Sequence, residues 1–298
     1  MRITNSTLTT NYLRNLNKNL ASMQKLQSQL SSGKVVTRPS EDPLLVSKIM
    51  DLRNTISTNE QYNSTITDTI GWVDTQDGAL QGANSTVQRI RELIIYGANG
   101  TLSEDDRNAI TEEVKIKVGE LADVLNTNFD GRYIFSGTKT TDKPFNAALE
   151  YQGNDKNIKR EISTGVEVEL AVDGEEFTTL NKGQLDEQKL SDLLKNIITA
   201  LEDGDSDALS GKLLGDLDKH IDNILSFRSK IGAISNRLDA AKERNEAENL
   251  NLKNLLSQRE DIDLAQKYTE ANTLNSVYLA SLSIGAKILQ PSLLDYLR

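Results

Sequence analysis

Each end of the chain carries an apolar stripe with helical spacing, and these two stripes limit what the sequence can fold into. Their residues alternate steps of three and four, which is the seam of a coiled coil and requires a partner helix. We therefore predict that both stripes are assembly interfaces. The N-terminal stripe consists of Leu13, Leu16, Leu20, Met23 and Leu30, and the C-terminal stripe consists of Leu264, Tyr268, Ala271, Tyr278, Leu282 and Leu289.

A polar residue fills one seam position in each stripe, Gln27 near the start and Asn275 near the end. Such residues favour control of helix register over raw stability. The sequence leaves two pairings open. The stripes could cover each other within one molecule, or they could pack against copies in an assembly.

A second heptad lies inside the chain and indicates an intramolecular helical bundle. Apolar residues recur every seven positions from residue 73 to residue 94, and a second seam runs between them. Local signals bound the helices: Gly33 ends the first helix, which spans about residues 9–32, and Asp42 and Ser103 suit N-caps. The predicted bundle core is Val73, Leu80, Val87, Ile90 and Ile94.

The pattern changes to short strands between about residues 133 and 180. Val166, Val168 and Leu170 alternate with polar residues, which predicts a half-buried strand, and Asp173-Gly174 predicts a hairpin turn. We predict a mainly α fold: a long helical bundle formed by the N- and C-terminal regions, with a small β-rich inserted domain. The predicted divisions are a terminal assembly region (1–42 and 265–298), a bundle (43–137 and 221–264) and an outward-facing insert (138–220).

Composition argues against catalysis. The chain has no cysteine and one histidine, His220, so thiol nucleophiles and multi-histidine metal sites are excluded. We predict no catalytic residue, no metal site, no cofactor and no enzymatic activity. The acidic run from Asp203 to Asp207 has the spacing of a calcium loop, but Ala208 and Leu214 stand where glycine and glutamate are needed. A solvated turn is the better interpretation, and a calcium-responsive coiled-coil adaptor is the alternative.

The charge distribution separates the start of the chain from the rest. The net charge is −10, which argues against nucleic acid as a partner, yet residues 1–40 contain six basic residues and no acidic one. No apolar run of a secretory signal follows this basic start, and an organellar transit peptide is the less favoured interpretation of it. The uncharged stretch 271–286 is interrupted by Asn, Thr and Ser, so we predict no membrane span.

Several blocks, in order along the chain, resemble the flagellin superfamily and more narrowly the hook-associated protein 3 family. They are Leu-Gln-Ser-Gln-Leu-Ser-Ser-Gly-Lys at 26–34, Arg-Pro-Ser-Glu-Asp-Pro at 38–43, the region 91–107 and the chain end at 288–298. The segment Phe-Asp-Gly-Arg-Tyr-Ile-Phe-Ser-Gly-Thr at 129–138 is similar to the junction proteins and differs from flagellins. The resemblance covers the chain except for about 138–220.

The resemblance implies a structural role. It implies a subunit that joins the hook-associated protein 1 layer to the flagellin filament, located outside the cell after flagellar type III export without a cleaved signal. The implied partners are hook-associated protein 1, flagellin, copies of the chain and an export chaperone at the C-terminal region. A minor flagellin is the alternative within the superfamily. We further expect residues 1–40 and about 265–298 to be mobile in the monomer.

Overall fold

A computed structural model describes residues 5–100, 102–183 and 187–288 of the chain, and the predicted mainly α fold is confirmed. Among the described helices, none combines the length and the apolarity needed to cross a bilayer. A π-helical turn, Leu209–Leu213, lies between the sixth and seventh helices. The helices are α1 Asn5–Ser32, α2 Pro43–Gly97, α3 Glu104–Leu125, α4 Gly174–Thr178, α5 Leu190–Asp203, α6 Ser206–Ala208, α7 Leu214–Glu260 and α8 Leu264–Ile288.

Helix ends follow the local signals in the sequence. Gly33 adopts a left-handed conformation (φ 72°) directly after α1, where a side chain would be strained. An Asp42 carboxylate oxygen accepts the backbone N–H of Leu45 at 3.0 Å at the start of α2. The Ser103 hydroxyl oxygen accepts the N–H of Asp106 at 3.2 Å at the start of α3. Both predicted N-caps therefore satisfy backbone donors that have no partner within the helix.

Among the residues that the structure describes, six short strands form three antiparallel two-stranded sheets. In the longest sheet Ile158 pairs with Leu170 and Arg160 pairs with Val168. Val168 and Leu170 are buried as the alternation predicts, whereas Val166, beyond a register shift in the pairing, is exposed. The strands are β1 Asn128–Phe129, β2 Arg132–Tyr133, β3 Ile158–Ser163, β4 Val166–Leu170, β5 Thr179–Leu180 and β6 Gln188–Lys189.

The predicted hairpin turn at Asp173-Gly174 is wrong. Asp173 is the N-cap of α4, and its carboxylate accepts the N–H of Glu175 at 2.9 Å. The chain enters a helix here because a helical turn buries Phe177 against Phe135 and Phe227, with both ring-centroid distances at 5.2 Å.

The chain divides into two compact units. Unit 1 comprises Met1–Thr58 and Glu248–Arg298, and unit 2 comprises Asn59–Ala247. In unit 2 the insert has no core of its own, because its buried side chains join the same apolar cluster as the helices. Two-stranded sheets are too small to be stable alone. The cluster contains the predicted bundle residues Val73, Leu80, Val87, Ile90 and Ile94, all essentially inaccessible to solvent, together with Phe135, Phe177, Leu194 and Leu201.

A candidate assembly surface on the terminal helices

The terminal helices α1 and α8 of unit 1 pack against each other in antiparallel orientation. The Tyr12 hydroxyl donates to the backbone carbonyl of Ser281 at 3.0 Å near one end of the pair. At the other end the ammonium of Lys34, just beyond α1, lies 2.7 Å from a carboxylate oxygen of Asp261. Of the two pairings that the stripes left open, the structure therefore contains the pairing within one molecule.

A short antiparallel bridge holds the end of α1 beside the break between α7 and α8. The N–H of Val35 donates to the carbonyl of Glu260 at 2.7 Å, and the N–H of Ile262 donates to the carbonyl of Gly33 at 3.1 Å. These backbone bonds fix the chain direction on both sides of the break. They also supply partners that the interrupted helices would otherwise lack.

Ion pairs surround this bridge. Lys34 contacts both Asp261 and Glu260, and Arg53 of α2 makes a second ion pair with the buried Glu260. The hydrogen bonds that the Lys34 ammonium donates to Asp261 and then to Glu260 raise the pKa of this ammonium. Hydrogen bonds from Lys34 and then Ser257 lower the pKa of the Asp261 carboxyl. The charged forms of both groups are therefore favoured in the folded unit.

The predicted N-terminal stripe is divided by the pairing. Leu16, Met23 and Leu30 are half-buried, whereas Leu13 and Leu20 are exposed, at 47% and 40% of their full accessibility. The sequence reasoning missed Leu26, which is buried in α1. A row through 12, 16, 19, 23, 26 and 30 also alternates steps of four and three, so the same spacing rule could have found it.

The C-terminal stripe is divided in the same way. Ala271 and Tyr278 are half-buried, whereas Leu264, Tyr268 and Leu282 are exposed. Leu289 lies outside the described residues. The stripe did not include three further exposed apolar side chains on α8, Val277, Leu279 and Ile284.

The exposed apolar side chains of α8 lie on two flanks of its covered face. A helix turns by about 100° per residue, so one step along the chain moves to a neighbouring flank. Val277 and Ile284 are seven residues apart and precede Tyr278 and Gly285, which defines flank A. Tyr268, Leu279 and Leu282 lie on the opposite side of Tyr278 from flank A, and these three residues define flank B. A helix that is apolar on most of its circumference is typical of a helix buried on several sides.

Residues of the acidic turn at 203–207 cap the helices on either side of it. Gly204 ends α5 in a left-handed conformation, and the carboxylate of Asp205 accepts the N–H of Ala208 at 3.0 Å. Across the described ranges 5–100, 102–183 and 187–288, no group of three or more acidic, cysteine or histidine side chains is arranged to hold a metal ion.

Comparison with protein-family models matches both ends of the chain. Residues 3–140 match the bacterial flagellin N-terminal helical region, and residues 214–297 match the bacterial flagellin C-terminal helical region. The unmatched middle contains most of the insert.

Curated relatives include both hook-associated proteins and flagellins. Flagellar hook-associated protein 3 of Escherichia coli is 28% identical over 259 residues, which is 80% of this chain and 82% of that protein. Its Salmonella typhimurium counterpart is 30% identical over 68% of this chain and 65% of its own length. Flagellin of Bacillus subtilis is 26% identical over 94% of each chain.

Solved structures show the same fold. A putative flagellar hook-associated protein from Vibrio parahaemolyticus superposes with a TM-score of 0.66 at 22% identity, over 74% of this chain and all of that one. Flagellar hook-associated protein 3 from Legionella pneumophila gives a TM-score of 0.63 at 17% identity, over 70% of this chain and 98% of that one.

Proposed function

Since the chain belongs to the flagellin superfamily and is a structural protein of the flagellar type, we propose that it joins the hook-associated protein 1 layer to the flagellin filament. In this proposal it is exported through the flagellar type III channel without a cleaved signal and assembles outside the cell. An export chaperone covers its C-terminal region beforehand. We propose no enzymatic role, because the relatives are structural flagellar proteins.

The observation that carries the proposal is the pair of exposed apolar flanks on α8. Helix α1 covers one face of α8, and flank A and flank B remain apolar and accessible. Leu13 and Leu20 extend the exposed apolar surface onto α1. Burying one such side chain contributes roughly 1.5–3 kcal/mol, so contact with neighbouring subunits along two helices supplies a large driving force.

The two flanks differ, and this difference favours a head-to-tail assembly. Flank A presents β-branched Val277 and Ile284, whereas flank B presents Leu279, Leu282 and the phenol of Tyr268. Contacts between unlike surfaces generate rings or helical tubes, whereas a two-fold dimer requires one surface to match itself. A layer that continues a tube requires such a contact.

We favour a junction subunit over a minor flagellin because the segment 129–138 is similar to the junction proteins and differs from flagellins. Its first part forms the β1–β2 hairpin, where Phe129 packs edge-on against Trp72 of α2 with ring centroids 6.0 Å apart. The segment is thus built into unit 2 and presents Arg132 on its exposed side. A minor filament subunit is the second candidate, since flagellins are also among the relatives.

A deletion strain tests the role. Loss of a junction subunit gives cells with hooks but no filaments, and flagellin accumulates in the medium. Loss of a minor filament subunit leaves filaments attached, and that result would overturn the junction proposal. Electron microscopy of the cells, with immunoblotting of the medium, distinguishes the two outcomes.

Cysteine cross-linking tests the assembly surface, since the chain has no cysteine of its own. We expect Leu282→Cys and Ile284→Cys proteins to form disulfide dimers when mixed and assembled, and to form few dimers separately. Ser210→Cys, at an exposed position in unit 2, is the matched control. Efficient dimers of Leu282→Cys alone would indicate a two-fold contact and contradict the head-to-tail arrangement.

A further inference from the structure

Helix α1 carries a basic stripe on the side away from α8. Arg14, Lys18 and Lys25 are exposed and fall at i, i+4 and i+11, which places them on one face. Lys18 follows the half-buried Leu16 by two residues, about half a turn, so this face is opposite the covered one. The described part of α1 contains no acidic residue.

No carboxylate of the described residues lies within ion-pair distance of these three cations. The Arg14 guanidinium donates to the side-chain oxygen of Asn11 at 2.8 Å, and this is a neutral partner. The pKa of the Glu41 carboxyl is lowered chiefly by a hydrogen bond from the backbone N–H of Thr37, and the charge of Lys25 makes a smaller contribution. Within the ranges that the structure describes, none of the three forms an ion pair.

Helix α7 carries an acidic stripe of the same size within unit 2. Asp239, Glu243 and Glu246 are exposed and fall at i, i+4 and i+7, again on one face. The opposite face of this part of α7 is buried at Leu238 and Ala241. No ion pair involves the three carboxylates within the described structure.

The same charge difference separates the two units as wholes. Unit 1 contains 13 basic and 9 acidic residues, whereas unit 2 contains 21 basic and 35 acidic residues. Two copies that place unit 2 against unit 2 therefore repel each other. Two copies that place unit 1 against unit 2 attract each other.

We propose that the basic stripe of α1 (Arg14, Lys18, Lys25) docks on the acidic stripe of α7 (Asp239, Glu243, Glu246) of an adjacent copy. This proposal rests on the proposed function, because it requires that copies assemble. The occupant is a second copy because the chain itself carries the complementary stripe and leaves both unpaired. Exposed ion pairs are individually weak, so the stripes fix orientation and neighbour choice while the apolar flanks supply the affinity.

Zero-length cross-linking of assembled full-length protein tests the contact. A carbodiimide joins a lysine to a carboxylate only when the two touch, and mixing isotope-labelled with unlabelled protein separates links between copies from links within one. We expect mixed-isotope peptides that join Lys18 or Lys25 to the α7 stripe. Linked peptides of a single isotope only would assign the pairing to one molecule and overturn the proposal.

Charge reversal gives the second arm. The triple variants R14E/K18E/K25E and D239K/E243K/E246K should each reduce assembly at least tenfold, and mixing the two variants should restore it, with a carbodiimide link now joining the new α7 lysines to the new α1 glutamates. The control K139E/K156E/K159E replaces three exposed basic residues of unit 2 with glutamate, which is the same change in charge as in R14E/K18E/K25E. The assembly of this control should stay within twofold of that of the parent.

The two proposals fail separately. Unchanged assembly of both charge variants with no cross-link would overturn the stripe contact and leave the structural role standing. Unchanged assembly of a Leu282→Glu/Ile284→Glu protein would instead overturn the apolar surface on which the proposed function depends.

Discussion

Tyr12 occupies the space that a side chain at residue 285 would need. Its hydroxyl donates to Ser281 across the α1–α8 pair, and its ring lies directly over Gly285. A Cβ atom at residue 285 would come within 2.8 Å of Tyr12 Cε1, and closer still to Cζ and the hydroxyl oxygen. The register of the two terminal helices therefore depends on the absence of a side chain at this position.

Gly285→Ala should weaken the α1–α8 pair although alanine is the better helix former. The methyl group displaces the Tyr12 ring and breaks its hydrogen bond, a net loss of about 1 kcal/mol, and it also removes ring packing. Amide exchange at Ser281 and its neighbours should accelerate severalfold. Gly232→Ala, at an exposed site on α7 with no neighbour within 4 Å, should be neutral or stabilising by up to about 1 kcal/mol.

A double variant separates steric displacement from a general effect on α8. Tyr12→Ala combined with Gly285→Ala should be no less stable than Tyr12→Ala alone, because the obstructing ring is absent. Additive losses in the double variant would show that Gly285 acts for another reason.

Gln76→Leu should destabilise unit 2 by about 2 kcal/mol or more. The buried Gln76 amide donates to the carbonyl of Ile134 at 3.1 Å and to that of Ala171 at 2.9 Å, so it ties α2 to the insert. Leucine keeps the volume but leaves two buried acceptors without donors. Urea unfolding measures the loss. Gln81→Leu, on the exposed side of the same helix, should change the unfolding free energy by less than about 0.5 kcal/mol.

Lys34→Met should loosen the bridge between the end of α1 and the α7–α8 break. The raised pKa of Lys34 means that its contribution is present below 10.5 and is lost as pH rises through the higher folded value. The lowered pKa of Asp261 means that its contribution is present above 3.8 and is lost as pH falls through the lower folded value.

Between those limits the variant should show faster amide exchange at Val35 and Ile262, the two donors of the bridge. The difference from the parent should shrink as pH falls below 3.8 and through the lower folded pKa of Asp261, because the carboxylate partner of Lys34 is then lost. Lys48→Met, an exposed substitution on α2, should leave these amides unchanged. An equal effect of both substitutions would argue against the ion pair.

The helix boundaries could be predicted because helix caps are local chemistry. Asp42, Ser103 and Gly33 act within four residues of their own positions, so no tertiary information is needed. Asp173 is a position where local sequence does not determine the structure. An Asp-Gly pair can begin a hairpin or cap a helix, and the choice depends on the distant aromatic partners of Phe177.

The use of the terminal stripes could be predicted only in part. Rows through 13, 20 and 27 and through 12, 19 and 26 both alternate correctly with 16, 23 and 30, so periodicity cannot decide which row is covered. An apolar seam also shows that a helix needs a partner helix, but it does not show which helix that partner is. The exposed Val277 and Ile284 were missed because a helix that is apolar on most sides has no single stripe.

The stability of unit 2 should fall as the medium is acidified, and His220 should account for much of the fall. The side chain is fully buried in α7, and neither ring nitrogen has a hydrogen-bond partner in the described structure. Burial lowers the pKa of His220 from 6.5 to about 4, against a smaller opposing effect of Asp216 and with a minor contribution from Lys219.

Because the folded pKa lies below the unfolded one, the unfolded chain binds the proton more readily between these values. The resulting loss of unfolding free energy is absent above about pH 7, grows as pH falls through 6.5 and reaches about 3 kcal/mol near pH 4. His220→Leu replaces the titratable imidazole with an apolar side chain of similar bulk. This variant should show a weaker pH dependence of the unfolding free energy between pH 6.5 and pH 4. Urea titrations of the two proteins at pH 7.5 and pH 4.5 provide the comparison, and an equal loss of stability in both would show that other groups cause the acid sensitivity.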